Sequence, residues 1–519
     1  MSRWGLKATS HYMRVSAPTP DYVAVPALTG TLPARQFAGY AAAMECIDPT
    51  DLAGINHRVR AWAAGGEPVH PVRIARIVIA VDAIDALVDE VSRLSAGRRV
   101  LVAMDHTPMR RGEHDLKPLI ENALARGCRP VVRRLPEDAA YRFHADLGAA
   151  QKLAKEFDAP GEGFAAIVSL GSGSITDVTK YARHLHAEKT GRKIPFVSFP
   201  TAASVTAYTS ALAALTIDGV RRTLPALPPD IVICDLRTLA DAPLLMTQAG
   251  FGDVLARSVS YGDWYLANQL GMDDGFSLVP GRLLEGAEQE MFCGAADVAA
   301  GTREAVRAVT SALLLSGMAM SIVRQTAPLS GWEHAISHFL DVLAEADGRE
   351  PALHGAQVGV ATLVSARAYE LSWDGLNVDR LTHERDDSLY RNTIEQFCQR
   401  RDATGKLAAE LWRDFAKKLG RWRSVADVRR GFVDRKRAGE YDDFIRQAVR
   451  PPSAIEAALQ KAGAPRCFSE LSVPVSMGCA TQAVRLAHMV RARFTLGDLL
   501  SESGWLDNEA AVAALANRA

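Results

Sequence analysis

The sequence predicts an α/β domain followed by an all-helical one. Three observations predict it. Short apolar runs alternate with helical periodicity from Arg73 to about residue 245. Strand-like runs then disappear, and helical spacing continues to the C-terminus. A glycine-rich turn, Gly171-Ser172-Gly173-Ser174, stands between one of those strands and the helix after it. Alternation of this kind indicates a parallel sheet with helical crossovers. A chain of 519 residues suits two domains better than one.

The elements follow in order. RIVIAV (76–81) is a short apolar run, and AIDALVDEVSRL (83–94) has helical spacing. RRVLVAMD (98–105) is apolar again and ends on a carboxylate, Asp105. DLKPLIENALARG (115–127) is helical and closes on glycine, a common helix stop. RPVVRRL (129–135) is the third strand. AAIVSL (165–170) is a strand, residues 174–191 a helix, and IPFVSFPT (194–201) a strand. In residues 212–227 Asp218-Gly219 separates two alternating runs, a hairpin signal. PDIVICDLRTL (229–239) reads as one more strand. The apolar stripe of residues 305–323 reads as a buried helix. It is not a membrane span, because Arg307 and small residues interrupt it. The basic run RWRSVADVRRGFVDRKR (421–437) reads as a solvated helix face.

Composition narrows the function classes. The chain is 48% hydrophobic and 23% charged, as in an ordinary soluble globular protein. Sixty basic side chains balance sixty acidic ones, which removes any global argument for nucleic acid as partner. Seven cysteines are scattered with none at metal-knuckle or redox-pair spacing, which suits a reducing compartment. The first residues lack the apolar core of a signal peptide, so a cytoplasmic location with no membrane partner is expected.

Three groups of residues carry chemistry. The turn GSGSITD (171–177) would expose backbone N–H groups at a helix start, where the unpaired donors and the dipole favour an anion. It lacks the third glycine of the dinucleotide fingerprint, whose position holds Thr176, and it lacks a Walker lysine. A second turn, FPTAASVTAYTS (199–210), follows the next strand and could line a crevice outside the strand ends. The third group begins with Asp253 in GFGDVLA, at what reads as the mouth of a helix, where an N-cap role is the simple alternative. His334 and His338 lie four residues apart on one helix face, and His354 precedes a glycine and an apolar helix. An aspartate with two imidazoles is a common catalytic-metal set, and spacing alone leaves open which two histidines serve.

In that order and at those intervals, GSGSITD, FPTAAS, GFGD, EHAISH and LHG resemble the glycerol-1-phosphate dehydrogenases. These are members of the wider iron-containing alcohol dehydrogenase and dehydroquinate synthase superfamily. The resemblance spans roughly residues 73 to 375 and resumes around residues 480–506; residues 1–70 and about 376–470 align with nothing in it. It implies a dehydroquinate synthase-like two-domain architecture. Residues 1–70 would be an N-terminal extension, 71–245 a Rossmann-like dinucleotide domain, and 246–519 a helical metal-binding and substrate domain.

The resemblance also implies roles. Gly171, Ser172, Gly173, Ser174 and Ile175 would cradle the NAD or NADP pyrophosphate. Asp105 would meet the adenosine ribose, and its charge favours NAD by repelling a 2′-phosphate. Thr201, Ala202, Ala203, Ser204 and Ser210 would line the nicotinamide side. Asp253, His334 and His354 would hold one divalent metal (Zn, Fe, Ni or Mn), while Asp253 and His338 would be catalytic and would face substrate. The chain departs from the family where an aspartate follows P-T-x-x-S-x. Thr206 stands there, and a hydroxyl is no general base at neutral pH.

The expected function is therefore metal-dependent, NAD(P)-linked oxidation or reduction of a small polyol phosphate, with homo-oligomer formation left open. A sugar-phosphate cyclase of the dehydroquinate synthase kind is the first rival, ranked lower because that pattern uses glutamate where Asp253 stands. A non-catalytic relative with a binding role is the second, motivated by Thr206 and the unaligned segments.

Overall fold

β-branched and aliphatic runs flanked by amphipathic helices assemble as a central sheet. The computed structural model describes residues 46–518 except 64–65, 136–142, 144, 159–160 and 385. The expectation of no leader, and most of the N-terminal extension, lie outside the described residues.

The first half runs α1 (Leu52–Trp62), β1 (Arg76–Ala80), α2 (Ile84–Ser95), β2 (Arg99–Met104), β3 (Arg110–Arg111), β4 (His114–Asp115), α3 (Leu116–Leu124) and β5 (Arg129–Arg134). It continues with α4 (Leu147–Phe157), β6 (Ala166–Gly171), α5 (Gly173–Thr190), β7 (Phe196–Pro200), β8 (Leu212–Ile217), β9 (Val220–Pro225), β10 (Ile231–Asp235) and α6 (Leu236–Ala240). The main sheet has six strands in the order β1-β10-β7-β6-β2-β5, all parallel. β2 shows why it is covered on both faces. Leu101 and Ala103 pack toward α4 and α5, while Val100, Val102 and Met104 pack toward α2 and α3. Strand order reverses between β2 and β6, which is where open α/β sheets leave a ligand crevice at their carboxyl ends.

The second half is helical among the described residues: α7 (Leu244–Leu255), α8 (Arg257–Gln269), α9 (Val279–Cys293), α10 (Ala295–Ala299), α11 (Arg303–Val323), α12 (Trp332–Ala346) and α13 (His354–Ser372). Then come α14 (Asp387–Gln399), α15 (Lys406–Ser424), α16 (Ala426–Arg437), α17 (Asp442–Ala448), α18 (Pro452–Lys461), α19 (Met477–Leu486), α20 (Leu496–Glu502) and α21 (Glu509–Arg518). α11 is long and apolar enough to cross a membrane, but most of it is buried within the fold, where Val309, Leu313 and Leu314 join the core.

Three local readings are corrected. PDIVICDLRTL is not one strand: β10 ends at Asp235, whose side chain accepts from the backbone N–H of Thr238 and caps α6. Asp253 is not at a helix mouth. It lies in the last turn of α7, which begins at Leu244. The glycines that suggested a start are inside the helix, where they admit neighbouring backbone. A β-carbon at Gly252 would stand 2.3 Å from the carbonyl oxygen of Gly355, and one at Gly250 would stand 2.1 Å from that of Ala203. Nor is the basic run 421–437 one solvated face. It breaks at Val425, and Arg429 is buried, donating to the carbonyl of Leu381 and lying over the Trp422 ring.

The β8–β9 hairpin turns at Asp218 and Gly219, both with positive φ. It reaches from the sheet half onto the helical half. Arg222 on β9 pairs with Glu410 and Asp414 of α15.

Candidate cofactor and metal site

The carboxyl ends of β2, β6 and β7 carry the first cluster. α5 starts at Gly173 with Ser172 as N-cap, and the Ser172 hydroxyl makes no capping bond. The first N–H groups of this long helix therefore face the crevice without intrahelical acceptors. Ile175 contributes only backbone, because its side chain is buried in the core. The turn after β7 is tied to this loop by Thr201, whose N–H donates to the Gly171 carbonyl at 3.1 Å. Thr201, Ala202, Ala203, Ser204 and Ser210 are all buried. Tyr208 Oη donates to the Ala202 carbonyl (2.6 Å), and Ser210 Oγ accepts from Leu212 N (3.1 Å). Thr206 is half-buried and opens a short 3-10 turn, Thr206–Tyr208.

Asp105, just past β2, sits on the other side of the strand-order reversal. Its carboxylate accepts from Lys117 Nζ (2.5 Å), Thr107 N (3.1 Å) and Thr107 Oγ1 (2.9 Å). Lys117 neutralises it, so the repulsion expected of it toward a 2′-phosphate is weakened.

The second cluster stands where α7, α12 and α13 meet. His334 Nε2 lies 3.5 Å, and His354 Nε2 3.8 Å, from Asp253 Oδ1. One ligand atom from each of the three falls within 4.8 Å of the others. The far nitrogen of each ring is held. Glu333 Oε1 also accepts from the N–H of Gly331, so it receives rather than gives at His334 Nδ1, 3.0 Å away. Ser337 Oγ donates to Gln357 Oε1 (2.7 Å), which leaves its oxygen to accept from His354 Nδ1 at 3.0 Å. Both rings thus carry their proton on Nδ1 and present Nε2 lone pairs toward Asp253. Metal-ligating histidines are commonly held in this way, by an acceptor at the ring nitrogen away from the metal. Burial opposes protonation of His334, but its bonds to Asp253 and Glu333 outweigh that and raise its pKa.

A second grouping, His338, Asp341 and His354, also brings ligand atoms within 4.8 Å. Its surroundings differ. His338 Nδ1 is buried without a hydrogen-bond partner among the described residues and is 3.9 Å from Asp341 Oδ2. Burial, then the charges of Arg491, His354 and Arg221, hold His338 well below its usual pKa. Burial raises the Asp341 carboxyl to about 6. An unheld imidazole and nearby guanidinium charge make this the poorer cation site.

Sequence reasoning named Asp253 and the three histidines but missed Glu333, Ser337 and Gln357. The first was legible as the residue directly before His334; the other two had no local signal. It also missed Arg221 and Arg491, which lie 270 positions apart.

A parallel sheet with a crevice at its strand-order reversal, joined to a helical half with a two-histidine, one-carboxylate cluster, has the parts a metal-dependent, nicotinamide-linked dehydrogenase needs. Residues 78–243 match the family model described as iron-containing alcohol dehydrogenase. A glycerol-1-phosphate dehydrogenase [NAD(P)+] of Bacillus subtilis is 30% identical over 322 residues, covering 61% of this chain and 78% of that protein. One from Bacillus velezensis is 27% identical across 84% of this chain and 93% of its own. One from Pyrococcus furiosus is 38% identical over 206 residues, 40% of this chain and 56% of its own. The fold is like that of a probable glycerol dehydrogenase from Sinorhizobium meliloti (TM-score 0.52, 20% identity, 86% of this chain and 97% of that one). It is also like a glycerol dehydrogenase from Schizosaccharomyces pombe (TM-score 0.52, 16% identity, 85% and 90%). The chain belongs to the glycerol-1-phosphate dehydrogenase family of the iron-containing alcohol dehydrogenases. It is an NAD(P)-dependent, metal-dependent oxidoreductase.

Proposed function

We propose that this enzyme interconverts a small polyol phosphate and its ketone, glycerol-1-phosphate and dihydroxyacetone phosphate being the pair its relatives are named for. The observation that carries the reading is the convergence of Asp253, His334 and His354, with both imidazoles oriented by partners behind them. A divalent cation held there supplies a Lewis acid for the substrate oxygen. The backbone N–H groups at the α5 start would hold the dinucleotide's pyrophosphate and residues 201–204 would line its nicotinamide, which would supply the hydride chemistry. We divide the chain accordingly: residues 71–245 bind the dinucleotide and 246–519 bind metal and substrate, with residues 1–70 as an extension.

The chain's own residues do the rest. Asp253 brings negative charge from the last turn of α7, and Glu333 and Ser337 fix the two rings against it. His338, neutral and buried, is the group we assign to the substrate side, with Asp341 one turn further along α12. Thr206 offers that side a hydroxyl where the family has a carboxylate, so proton movement falls to His338. The seven thiols are all free, which suits the cytoplasm as compartment.

The test is a nicotinamide absorbance assay. Protein reloaded with Zn, Ni, Mn or Fe(II) receives NADH or NADPH with dihydroxyacetone phosphate. Metal-dependent cofactor oxidation that His334→Ala abolishes supports the reading. Tight cofactor and metal binding with no net oxidation of any ketone would shift it to the cyclase chemistry.

A further inference from the structure

Asp263 lies on α8, which follows α7 after a single residue, Ala256. Its side chain is buried, and its hydrogen bonds run to other elements. Oδ2 accepts from Trp332 N at 2.7 Å and from Leu496 N at 3.1 Å, while Oδ1 accepts from Tyr369 Oη at 2.7 Å. Trp332 opens α12, Leu496 opens α20, and Tyr369 is near the end of α13. One carboxylate thus joins the segment after Asp253 to the two helices that carry His334 and His354.

Local chemistry explains why an aspartate stands there. α12 starts after Gly331, which offers no capping side chain, so its first N–H needs an acceptor from elsewhere. Asp263 supplies it. Two of its partners are backbone N–H groups, which can only donate, so Oδ2 serves as an acceptor. A side chain at 331 would not fit beside it. A β-carbon there would stand 2.6 Å from Asp263 Oδ2 and 2.9 Å from Glu333 Oε2. The bridge also fixes α12 at a second point. Near the start of α13, Ser337 Oγ meets His354 Nδ1 (3.0 Å) and Gln357 Oε1 (2.7 Å). Tyr369 lies about four turns beyond His354, roughly 22 Å along the axis of the same helix. A helix tied at one place can pivot; tied at two well-separated places, it cannot. His334 is two residues on from Trp332, so such a pivot would carry its Nε2 away from Asp253 and His354.

We propose that Asp263 is a positioning residue for the metal cluster, acting through the Trp332 N–H and the Tyr369 hydroxyl to hold His334 against Asp253 and His354. This rests on the metal reading of that cluster and adds a residue whose hydrogen bonds go to none of the three ligands. A cation site binds well when its ligands are held in place before the ion arrives, and the groups that hold them set much of the affinity.

The test is cobalt(II) binding by the full-length, metal-stripped protein. Affinity is read by chelator competition, and coordination geometry by the visible absorption bands of the bound ion. Urea unfolding is measured beside them. Tyr369→Phe removes one tie and leaves α12 capped, and it weakens cobalt binding by roughly threefold to tenfold, the worth of one hydrogen bond. Asp263→Ala removes both ties, weakens binding by roughly tenfold to a hundredfold and shifts the bands. Asp263→Asn recovers most of the affinity, because its amide oxygen can still accept from the two N–H groups and its amide nitrogen can donate to Tyr369 Oη. If Asp263→Ala does not fold, Tyr369→Phe and Asp263→Asn decide. Folded variants that lose urea stability but keep the wild-type affinity and bands would overturn the positioning role alone. A wild type that binds cobalt no better than His334→Ala would overturn the metal reading itself.

Discussion

Glu333 and His334 are adjacent in sequence and bonded in space: Glu333 Oε1 accepts from His334 Nδ1 at 3.0 Å. That bond settles which imidazole nitrogen faces Asp253. Glu333 is fully buried and sits beside Asp263, another buried carboxyl. Burial and then the Glu333 charge push Asp263 up to about 7. Replacing Glu333 by Gln keeps the shape but removes the charge behind the ring. Metal affinity is expected to fall about tenfold to a hundredfold, as for other outer-shell partners of ligating histidines. Competition with a chromophoric chelator measures it; an unchanged affinity would refute the assigned role.

The two candidate metal sets make different predictions for His338. His334→Ala and Asp253→Asn are expected to lose bound metal. His338→Ala is expected to keep it, while kcat falls about a hundredfold or more for loss of a proton-transfer group. Metal analysis of the purified variants decides. If His338→Ala is the metal-free one, the set of His338, Asp341 and His354 holds the cation instead.

Gly252 on α7 and Gly355 on α13 allow the contact that brings Asp253 to His354. A β-carbon at Gly355 would stand 2.0 Å from the Ala249 carbonyl oxygen. Gly252→Ala should therefore destabilise the protein by about 1–3 kcal/mol, the usual cost of overpacking, and weaken metal binding with it. Urea unfolding and a metal titration together check this. Normal metal affinity in a destabilised variant would separate the helix contact from the site.

Asp105 is paired with Lys117 and so carries little net charge toward the ribose. NADH and NADPH are expected to be used with kcat/KM values within about tenfold of each other, a difference of about 1.4 kcal/mol. Strong NADH preference would mean that the pair opens when cofactor binds.

Glu288 on α9 is buried, accepting from Arg450 Nε (2.8 Å) and Ser258 Oγ (2.9 Å), with Arg257 3.6 Å away. Burial opposes its ionisation, but Arg257 and Arg450 prevail and lower its pKa from 4.5. The folded value lies below the unfolded one, so the stabilisation is complete above about pH 4.5 and lost as pH falls through the folded value. Glu288→Gln removes the ionised carboxylate that Arg450 and Arg257 face, a loss of about 3–5 kcal/mol at pH 7. The gap in urea midpoint between variant and wild type should close on acidification; a constant gap would contradict the ion-pair account.

Much of this was legible in the residue order. Continuous apolar runs such as RRVLVAMD, alternating with helical segments, marked the parallel sheet, because each strand must bury both faces under crossover helices. Asp218-Gly219 marked the hairpin, because few other pairs adopt its two positive φ angles. GFGD misled as to the helix start, because two glycines look like a break until the backbone packed against them is seen. The run 421–437 misled likewise, since its charge hid Arg429, a guanidinium buried over an indole.

The sequence by itself determined the two halves of the chain, the helix-start loop after β6, and the short list of side chains able to hold a cation. Local periodicity and local hydrogen bonding are written in neighbouring residues. Only the tertiary structure decided which imidazoles meet Asp253, which nitrogen each presents, and that Arg491 bonds Thr223 on the strand that carries Arg221. Those outcomes depend on how closely α7 packs on α13 and β9 on α12. Close packing of distant segments is set by shapes that no single stretch of sequence contains.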